Sequence, residues 1–225
     1  MPNLLVLQNS ANLETSVSRR LVATFVDAFV QRHPEAEIVQ RDFARNPLPH
    51  LSPALAAGLL PGQGTATPDI GLADILTEEL EAADIIVIGA PFYNFSIPST
   101  LKAWLDHVVR AGRTFAYVNG APRGLLPPGK KVIAFVASGG AYTEGPASAM
   151  DFASSYLRFI LGFMGVTDIE IVRAEWQAVP ERGASSAQAA TDRARNLAAQ
   201  IGMAIPSDPQ PNEFVTRRSG LAASL

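Results

Sequence analysis

Hydroxyl and amide side chains crowd the stretch that follows the first buried apolar run. They are Ser10, Asn12, Thr15, Ser16 and Ser18, and a helical pattern begins at Val17. A helix N-terminus offers unpaired N–H groups and a partial positive charge, and serine hydroxyls add donors. Because no Lys or Arg occurs between Met1 and Ser18, a phosphate here would be held by neutral groups. The alternative is that Ser16 serves only as the helix N-cap, but the convergence of three serine hydroxyls favours phosphate binding.

Two further stretches suit a flat ring. The first, Phe92, Tyr93, Asn94 and Phe95, follows the apolar run 84–89, and the second, Ser138, Gly139, Gly140 and Ala141, follows the run 132–137. Aromatic side chains supply apolar area, and glycines let a backbone approach a ring closely. Ordinary packing and a tight turn are the alternatives for each stretch alone. Together with the hydroxyls, they indicate a planar heterocycle that carries a phosphate.

The elements that position these stretches alternate between strand and helix. Buried strands are predicted at residues 4–7, 37–40, 84–89, 132–137 and 169–174, and helices begin near residues 17, 72, 97, 152 and 187. Such alternation predicts an α/β fold, a parallel sheet covered by helices on both faces. Ligands bind beyond the carboxyl ends of such strands, where the three stretches fall. Asn119-Gly120 also predicts a hairpin within residues 115–126.

Two segments depart from this alternation. Residues 46–68 are rich in Pro and Gly and predict an insertion or long loop, with one helical turn near residues 53–57. Residues 206–225 contain three prolines and an Arg-Arg pair and predict an extended or disordered tail. We therefore expect a single domain over residues 1–205.

Composition and charge exclude several classes of function. Hydrophobic residues make up 48% of the 225 residues and charged residues 17%, which excludes a disordered chain. The net charge of −3 argues against nucleic acid as a partner. The absence of cysteine excludes disulfides and thiolate chemistry, and three scattered histidines predict no metal site. The apolar runs are too short to span a bilayer and the N-terminus resembles no secretory leader, so we expect a cytoplasmic protein without a membrane partner.

Competing motifs fail. No G-x-G-x-x-G follows the first strand, and no G-x-S-x-G is present. Residues 124–131 read GLLPPGKK, which approaches a phosphate loop but lacks its final Ser or Thr and precedes a strand. A classical dinucleotide fold and a serine hydrolase are therefore both disfavoured.

Four blocks of sequence resemble FMN-dependent NADH azoreductases, which are quinone reductases of the flavodoxin-like superfamily. The blocks are S-x5-S-V-S at residues 10–18, GAPFYNFSIPSTLKAWLDHVVRAGRTF at 89–115, GKKVIAFVASGG at 129–140 and LGFMG at 161–165. The resemblance covers roughly residues 3–203, and its central block is the most specific. It implies a flavodoxin-like, doubly wound five-stranded parallel sheet in the order 2-1-3-4-5.

The resemblance also implies a non-covalently bound FMN. The phosphate would contact Ser10 and the Ser16-Val17-Ser18 turn, and the ring would lie against Phe92, Tyr93, Asn94, Phe95, Ser138, Gly139, Gly140 and Ala141. N–H groups around Asn94 and Phe95 would stabilise negative charge on the reduced ring. No side chain is required as an acid or base, so no catalytic residue is predicted. A homodimer is expected, in which Phe163 either lines the substrate side or only packs.

The implied activity is an NADH- or NADPH-dependent oxidoreductase that reduces quinones and azo compounds by two electrons in a ping-pong mechanism. One alternative is an electron-transfer flavodoxin-like carrier without its own small-molecule substrate. Such carriers present an acidic docking surface. A net charge of −3 is too small to require such a surface. A flavin-free interaction protein that keeps the fold is a further alternative. Turnover of NADH with a soluble quinone separates the enzyme from the carrier.

Overall fold

The computed structural model describes residues 2–58 and 68–202, except for the side chains of Ala54, Pro68 and Asp69. The strands of this part are β1 (Leu4–Gln8), β2 (Ile38–Asp42), β3 (Ile85–Pro91), β4 (Phe115–Val118), β5 (Ala121–Gly124), β6 (Lys131–Ala137) and β7 (Asp168–Ala174). The helices are α1 (Val17–Val30), α2 (Pro53–Gly58), α3 (Pro68–Ala82), α4 (Ser99–Val108), α5 (Phe152–Phe163) and α6 (Pro180–Gln200), with a 3-10 turn at Pro146–Met150.

Five of the strands form one parallel sheet in the order β2-β1-β3-β6-β7. This confirms the predicted order, since β6 and β7 are the fourth and fifth strands of that sheet. The chain moves outward from β1 to β2 and then returns to the other side of β1 at β3. The strand order therefore reverses between β1 and β3, and ligands bind at such a switch point in open α/β sheets.

Helices cover both faces of the sheet, as predicted. Successive residues of a strand point to opposite faces, so Leu4 and Val6 of β1 pack in one core with α1 and α6, around Phe25 and Phe29. Leu5 and Leu7 pack in a second core with α3, α4 and α5. Because side chains of β1, β3 and β6 are buried on both faces, these strands read as unbroken apolar runs.

The predicted hairpin is confirmed as the antiparallel pair β4–β5. It packs against the end of α5 so closely that a Cβ on Gly124 would lie 2.2 Å from the backbone nitrogen of Gly165. The close approach requires glycine at position 124, because a backbone neighbour cannot move aside as a side chain would.

The irregular segments are described only in part. The expected helical turn near residues 53–57 is present as α2. Residues 59–67 of the Pro/Gly-rich segment, and all of the predicted tail at 206–225, lie outside the described residues. The domain boundary at residue 205 therefore stays a prediction. Among the helices that the structure describes, none combines the length and apolar character needed to cross a bilayer.

Candidate functional site

The first loop of the site connects β1 to α1. Ser16 is the N-cap of α1, and its Oγ accepts a hydrogen bond from the Arg19 N–H at 3.3 Å. The Oγ atoms of Ser16 and Ser18 lie 3.1 Å apart, and the Ser18 side chain is fully buried. Within the described residues, the N–H groups of Val17 and Ser18 have no hydrogen-bond partner. This first turn therefore combines free donors with the positive end of a helix, which suits an anion.

Arg19 connects the same loop to the end of β2 by hydrogen bonds. Its Nε and Nη2 donate to the carbonyl of Ser10 at 3.1 and 2.7 Å, and its Nη1 and Nη2 donate to the Asp42 carboxylate at 2.7 and 2.8 Å. Hydrogen bonding from Arg19 holds the pKa of Asp42 below its usual value, with smaller contributions from two backbone N–H groups. The sequence analysis did not predict this contact, because Asp42 lies at the end of a different strand. The signal that was present is an arginine in the first turn of α1 and an aspartate at the end of β2, the strand next to β1.

The second loop follows β3 and forms a tight two-residue turn. The N–H groups of Tyr93 and Ser96 each donate to the other residue's carbonyl, at 3.1 and 3.0 Å. Both central residues are left-handed, with φ of 48° at Asn94 and 67° at Phe95. A bulky non-glycine residue in this region is strained by roughly 1–3 kcal/mol, and such strain concentrates at functional sites. Their own N–H groups are without a partner in the described part of the chain.

An aromatic cluster surrounds this turn. The rings of Phe92 and Tyr142 lie 4.5 Å apart at 32°, and Phe95 meets them edge-on at 6.2 and 6.0 Å. The Tyr93 hydroxyl lies 3.4 Å from Ser10 Oγ, so the second loop touches the first. Tyr142 was not predicted as a site residue, although it follows the Gly139-Gly140 pair closely in the sequence. The cluster offers the apolar area that a planar ring requires.

The third loop follows β6 and turns its carbonyls away from the site. The carbonyls of Ser138, Gly139 and Gly140 accept hydrogen bonds from the N–H groups of Gln177, Ala178 and Trp176, at 3.0, 3.1 and 3.2 Å. The N–H groups of Gly139, Gly140 and Ala141 have no partner among the described residues. The loop is therefore tied to the segment after β7 through its acceptors, and its donors remain available to a ligand.

Glu175 fixes the far end of the third loop. Its carboxylate accepts the Tyr142 N–H at 2.6 Å and the Thr143 hydroxyl at 2.7 Å, and the residue is only 9% exposed. Glu175 thus sets the position of the tyrosine that meets Phe92. Sequence reasoning missed this acid, because its partners precede it by more than thirty residues.

The structure brings the predicted stretches together at the carboxyl ends of β1, β3 and β6, which are neighbours in the sheet. Ser10 meets Tyr93, Ser16 meets Ser18, and the aromatic turn adjoins Tyr142. Unpaired N–H groups, hydroxyls and aromatic faces suit a planar heterocycle with an attached phosphate. Individual ligand contacts of the predicted site residues stay predictions.

The described residues hold no cluster of three or more His, Asp or Glu side chains that could bind a metal ion. His107 is fully buried on α4, and its Nδ1 lies 2.8 Å from the Ala103 carbonyl. Its ring is therefore part of the helix packing at some distance along the chain from the three loops.

Comparisons with known proteins identify the family and the fold. The sequence model of a family described as having a flavodoxin-like fold matches residues 2–198. An FMN-dependent NADH:quinone oxidoreductase from Herminiimonas arsenicoxydans is 44% identical over 200 residues, which cover 87% of this chain and 98% of that protein. An FMN-dependent NADH:quinone oxidoreductase from Hyphomonas neptunium is 46% identical over 177 residues, covering 78% and 85%. The crystal structure of an azoreductase from Bacillus anthracis str. Sterne has a TM-score of 0.81 at 28% identity, covering 89% of this chain and 100% of that one.

Proposed function

Because the chain belongs to the flavodoxin-like family that includes the FMN-dependent NADH:quinone oxidoreductases, we propose that it binds FMN and reduces quinones and azo compounds with NADH. NADPH is the alternative donor. We place the reaction in the cytoplasm, where reduced nicotinamide is available as a substrate. When bound, FMN would supply the two-electron redox chemistry between the nicotinamide and the acceptor.

The observation that carries the proposal is the set of unpaired N–H groups on three adjacent loops. They lie in the first turn of α1, in the left-handed turn after β3 and in the glycine loop after β6. Of these residues only Ser18 is buried, and Asn94, Phe95 and Gly139 are exposed, so the donors are open to a ligand that accepts hydrogen bonds in place of water. FMN has such acceptors at both ends, on its phosphate and on the polar edge of its ring.

The first loop would hold the phosphate. Ser10, Ser16, Val17 and Ser18 are the proposed contacts, through hydroxyls and first-turn N–H groups. Of the three serines, Ser18 is entirely buried and bonded to Ser16. We therefore propose that Ser18 acts on the phosphate through its backbone N–H and by orienting the Ser16 hydroxyl.

The second and third loops would hold the ring. Phe92, Tyr93 and Phe95 supply apolar surface, and the backbones of Asn94, Ser138, Gly139, Gly140 and Ala141 supply the close polar contacts. The N–H groups of Asn94 and Phe95 belong to a turn that is closed by the paired backbone groups of Tyr93 and Ser96. Fixed dipoles of this kind stabilise negative charge that develops on a bound ring without reorganising. No side chain of the three loops is needed as a general acid or base.

The arrangement favours ping-pong kinetics. The Phe92–Phe95 turn and the glycine loop would cover one face of a bound ring and leave the other face to both substrates. Nicotinamide and quinone both require contact with that face, so they bind in turn. Double-reciprocal plots against NADH at several fixed quinone concentrations should give parallel lines, and turnover should require bound FMN. Lines that intersect left of the axis would show a ternary complex. Reduction of FMN by NADH without turnover of any soluble quinone would favour the electron carrier.

A homodimer is the proposed assembly, and the exposed aromatic surface of α5 and the hairpin is the proposed interface. Tyr117, Phe152 and Phe159 are 68%, 59% and 54% exposed, although monomers rarely present several large apolar side chains together. Phe163 packs against Phe115 beneath this surface, with ring centroids 4.6 Å apart. Light scattering should give twice the chain mass for the wild type, and Phe159→Glu should shift the protein towards monomer. A wild-type monomer at micromolar concentration would contradict the assembly.

A further inference from the structure

The guanidinium of Arg19 lies between two groups that belong to different elements. It donates two hydrogen bonds to the Ser10 carbonyl and two to the Asp42 carboxylate, all between 2.7 and 3.1 Å. The side chains of Arg19 and Asp42 are only 14% and 16% exposed. A planar bidentate pair of this kind holds a fixed orientation, unlike a solvent-exposed ion pair.

The contact fixes the direction of one peptide plane. A trans peptide points its C=O and the following N–H in opposite directions. Since the Ser10 carbonyl faces Arg19, the N–H of Ala11 points away from the guanidinium, and this N–H has no partner among the described residues. The same contact removes a carbonyl oxygen, a partial negative charge, from the surroundings of any anion bound beside Ser10.

The positive charge of Arg19 is already balanced. The Asp42 carboxylate pairs with it at 2.7 Å, and the hydrogen bonding keeps that carboxylate ionised. Arg45 approaches Asp42 as well, at 3.4 Å, but its side chain is 60% exposed and forms no hydrogen bond with the loop among the described residues. Arg19 therefore acts on the loop through geometry, and Arg45 offers a natural comparison.

On the basis of the proposed FMN site, we propose that Arg19, anchored by Asp42, is a positioning residue for the phosphate. It holds the Ser10–Ala11 peptide so that the Ser10 hydroxyl and the Ala11 N–H face the anion. A simple electrostatic role would need only a positive charge at this place. The positioning role needs the several N–H donors that the guanidinium holds in one plane, which an ammonium group does not provide.

Titration of the wild type and three variants with FMN and with riboflavin tests the proposal. Arg19→Gln should weaken FMN by about tenfold or more, the effect of one displaced hydrogen bond to a charged group, and riboflavin by less than about twofold. Arg19→Lys keeps the charge and should remain close to Arg19→Gln. Arg45→Gln should bind both ligands as the wild type does.

The outcomes separate this inference from the proposed function. Full recovery of FMN affinity in Arg19→Lys would show that charge alone matters and would overturn the positioning role. An equal loss of affinity for FMN and riboflavin in Arg19→Gln would show that Arg19 only supports the fold. A lower melting temperature of the ligand-free variant, with no change in the ratio of FMN affinity to riboflavin affinity, would show the same. Failure of the wild type to bind either ligand would instead refute the proposed FMN site.

Discussion

Glu175 offers a test of the ring side of the site that leaves the phosphate side intact. The substitution is Glu175→Gln, which preserves size and one acceptor oxygen. Both contacts of the carboxylate, with the Tyr142 N–H and the Thr143 hydroxyl, are short and nearly buried. The three backbone hydrogen bonds that tie residues 138–140 to 176–178 do not involve this side chain. The change should therefore loosen Tyr142 and leave the glycine loop in place.

The magnitude follows from the two hydrogen bonds that the carboxylate accepts. Hydrogen bonds to a charged group contribute about 1.5–3 kcal/mol each, and neutral ones about 0.5–1.5 kcal/mol. Replacing two of the first kind by, at best, one of the second should lower the free energy of unfolding by about 1.5–5.5 kcal/mol. A loosened Tyr142 also moves away from Phe92, and an aromatic pair of this kind contributes about 0.5–1.5 kcal/mol. Affinity for the ring should therefore fall about two- to tenfold.

The assay is quenching of flavin fluorescence on titration of the protein into FMN and into riboflavin. Both ligands should weaken equally, because the ring is common to them and the phosphate loop is unchanged. Glu144→Gln, which alters an exposed acid in the same loop, is the matched control and should bind as the wild type does. Loss of FMN affinity with riboflavin unaffected would refute the assignment of this loop to the ring.

Further predictions concern the phosphate loop, acid stability and the hairpin. Ser16→Ala combined with Ser18→Ala should weaken FMN by about ten- to a hundredfold in calorimetric titrations while riboflavin changes little, and equal losses would mean that the serines only support α1. Burial opposes ionisation of Asp151, but hydrogen bonds and an arginine outweigh it and lower its pKa below the usual 3.8. The stabilisation from the ionised Asp151 carboxylate is therefore complete above its usual pKa and is lost as the pH falls through the lowered pKa. The melting temperatures of Asp151→Asn and wild type should converge in acid, and a constant difference between them would contradict this. Gly124→Ala places a Cβ 2.2 Å from a backbone nitrogen and should cost at least about 1–3 kcal/mol in denaturant unfolding, whereas Gly71→Ala, with open space around it, should be neutral or stabilising.

The sequence was sufficient to predict the sheet and the meeting of the three loops at one of its edges. Buried parallel strands read as apolar runs because both faces are covered, as in β3 with every residue buried. The hairpin followed from the Asn119-Gly120 pair, whose two residues both take positive φ in the turn. The position of the three loops then followed from topology, because the carboxyl ends of parallel strands share one edge.

The supporting contacts lay beyond sequence reasoning. Arg19 reaches Asp42 across 23 residues, and Glu175 reaches back 33 residues to Tyr142. Such pairs depend on which strand ends become neighbours, and no local periodicity encodes that. The left-handed conformation of Phe95 was equally hidden, because local preference disfavours it. Contacts made by Phe95 hold this conformation: its carbonyl accepts a hydrogen bond from the Phe152 N–H at 3.2 Å, and its ring meets the rings of Phe92 and Tyr142.

The most direct test of an FMN-dependent NADH:quinone oxidoreductase is an anaerobic half-reaction followed by absorbance. The protein is loaded with FMN, freed of excess cofactor by gel filtration, and mixed with one equivalent of NADH in the absence of an acceptor. The flavin absorbance should co-elute with the protein, bleach on addition of NADH and return on addition of a soluble quinone. Flavin that separates from the protein on the column, or bound flavin that NADH leaves oxidised, would contradict the account.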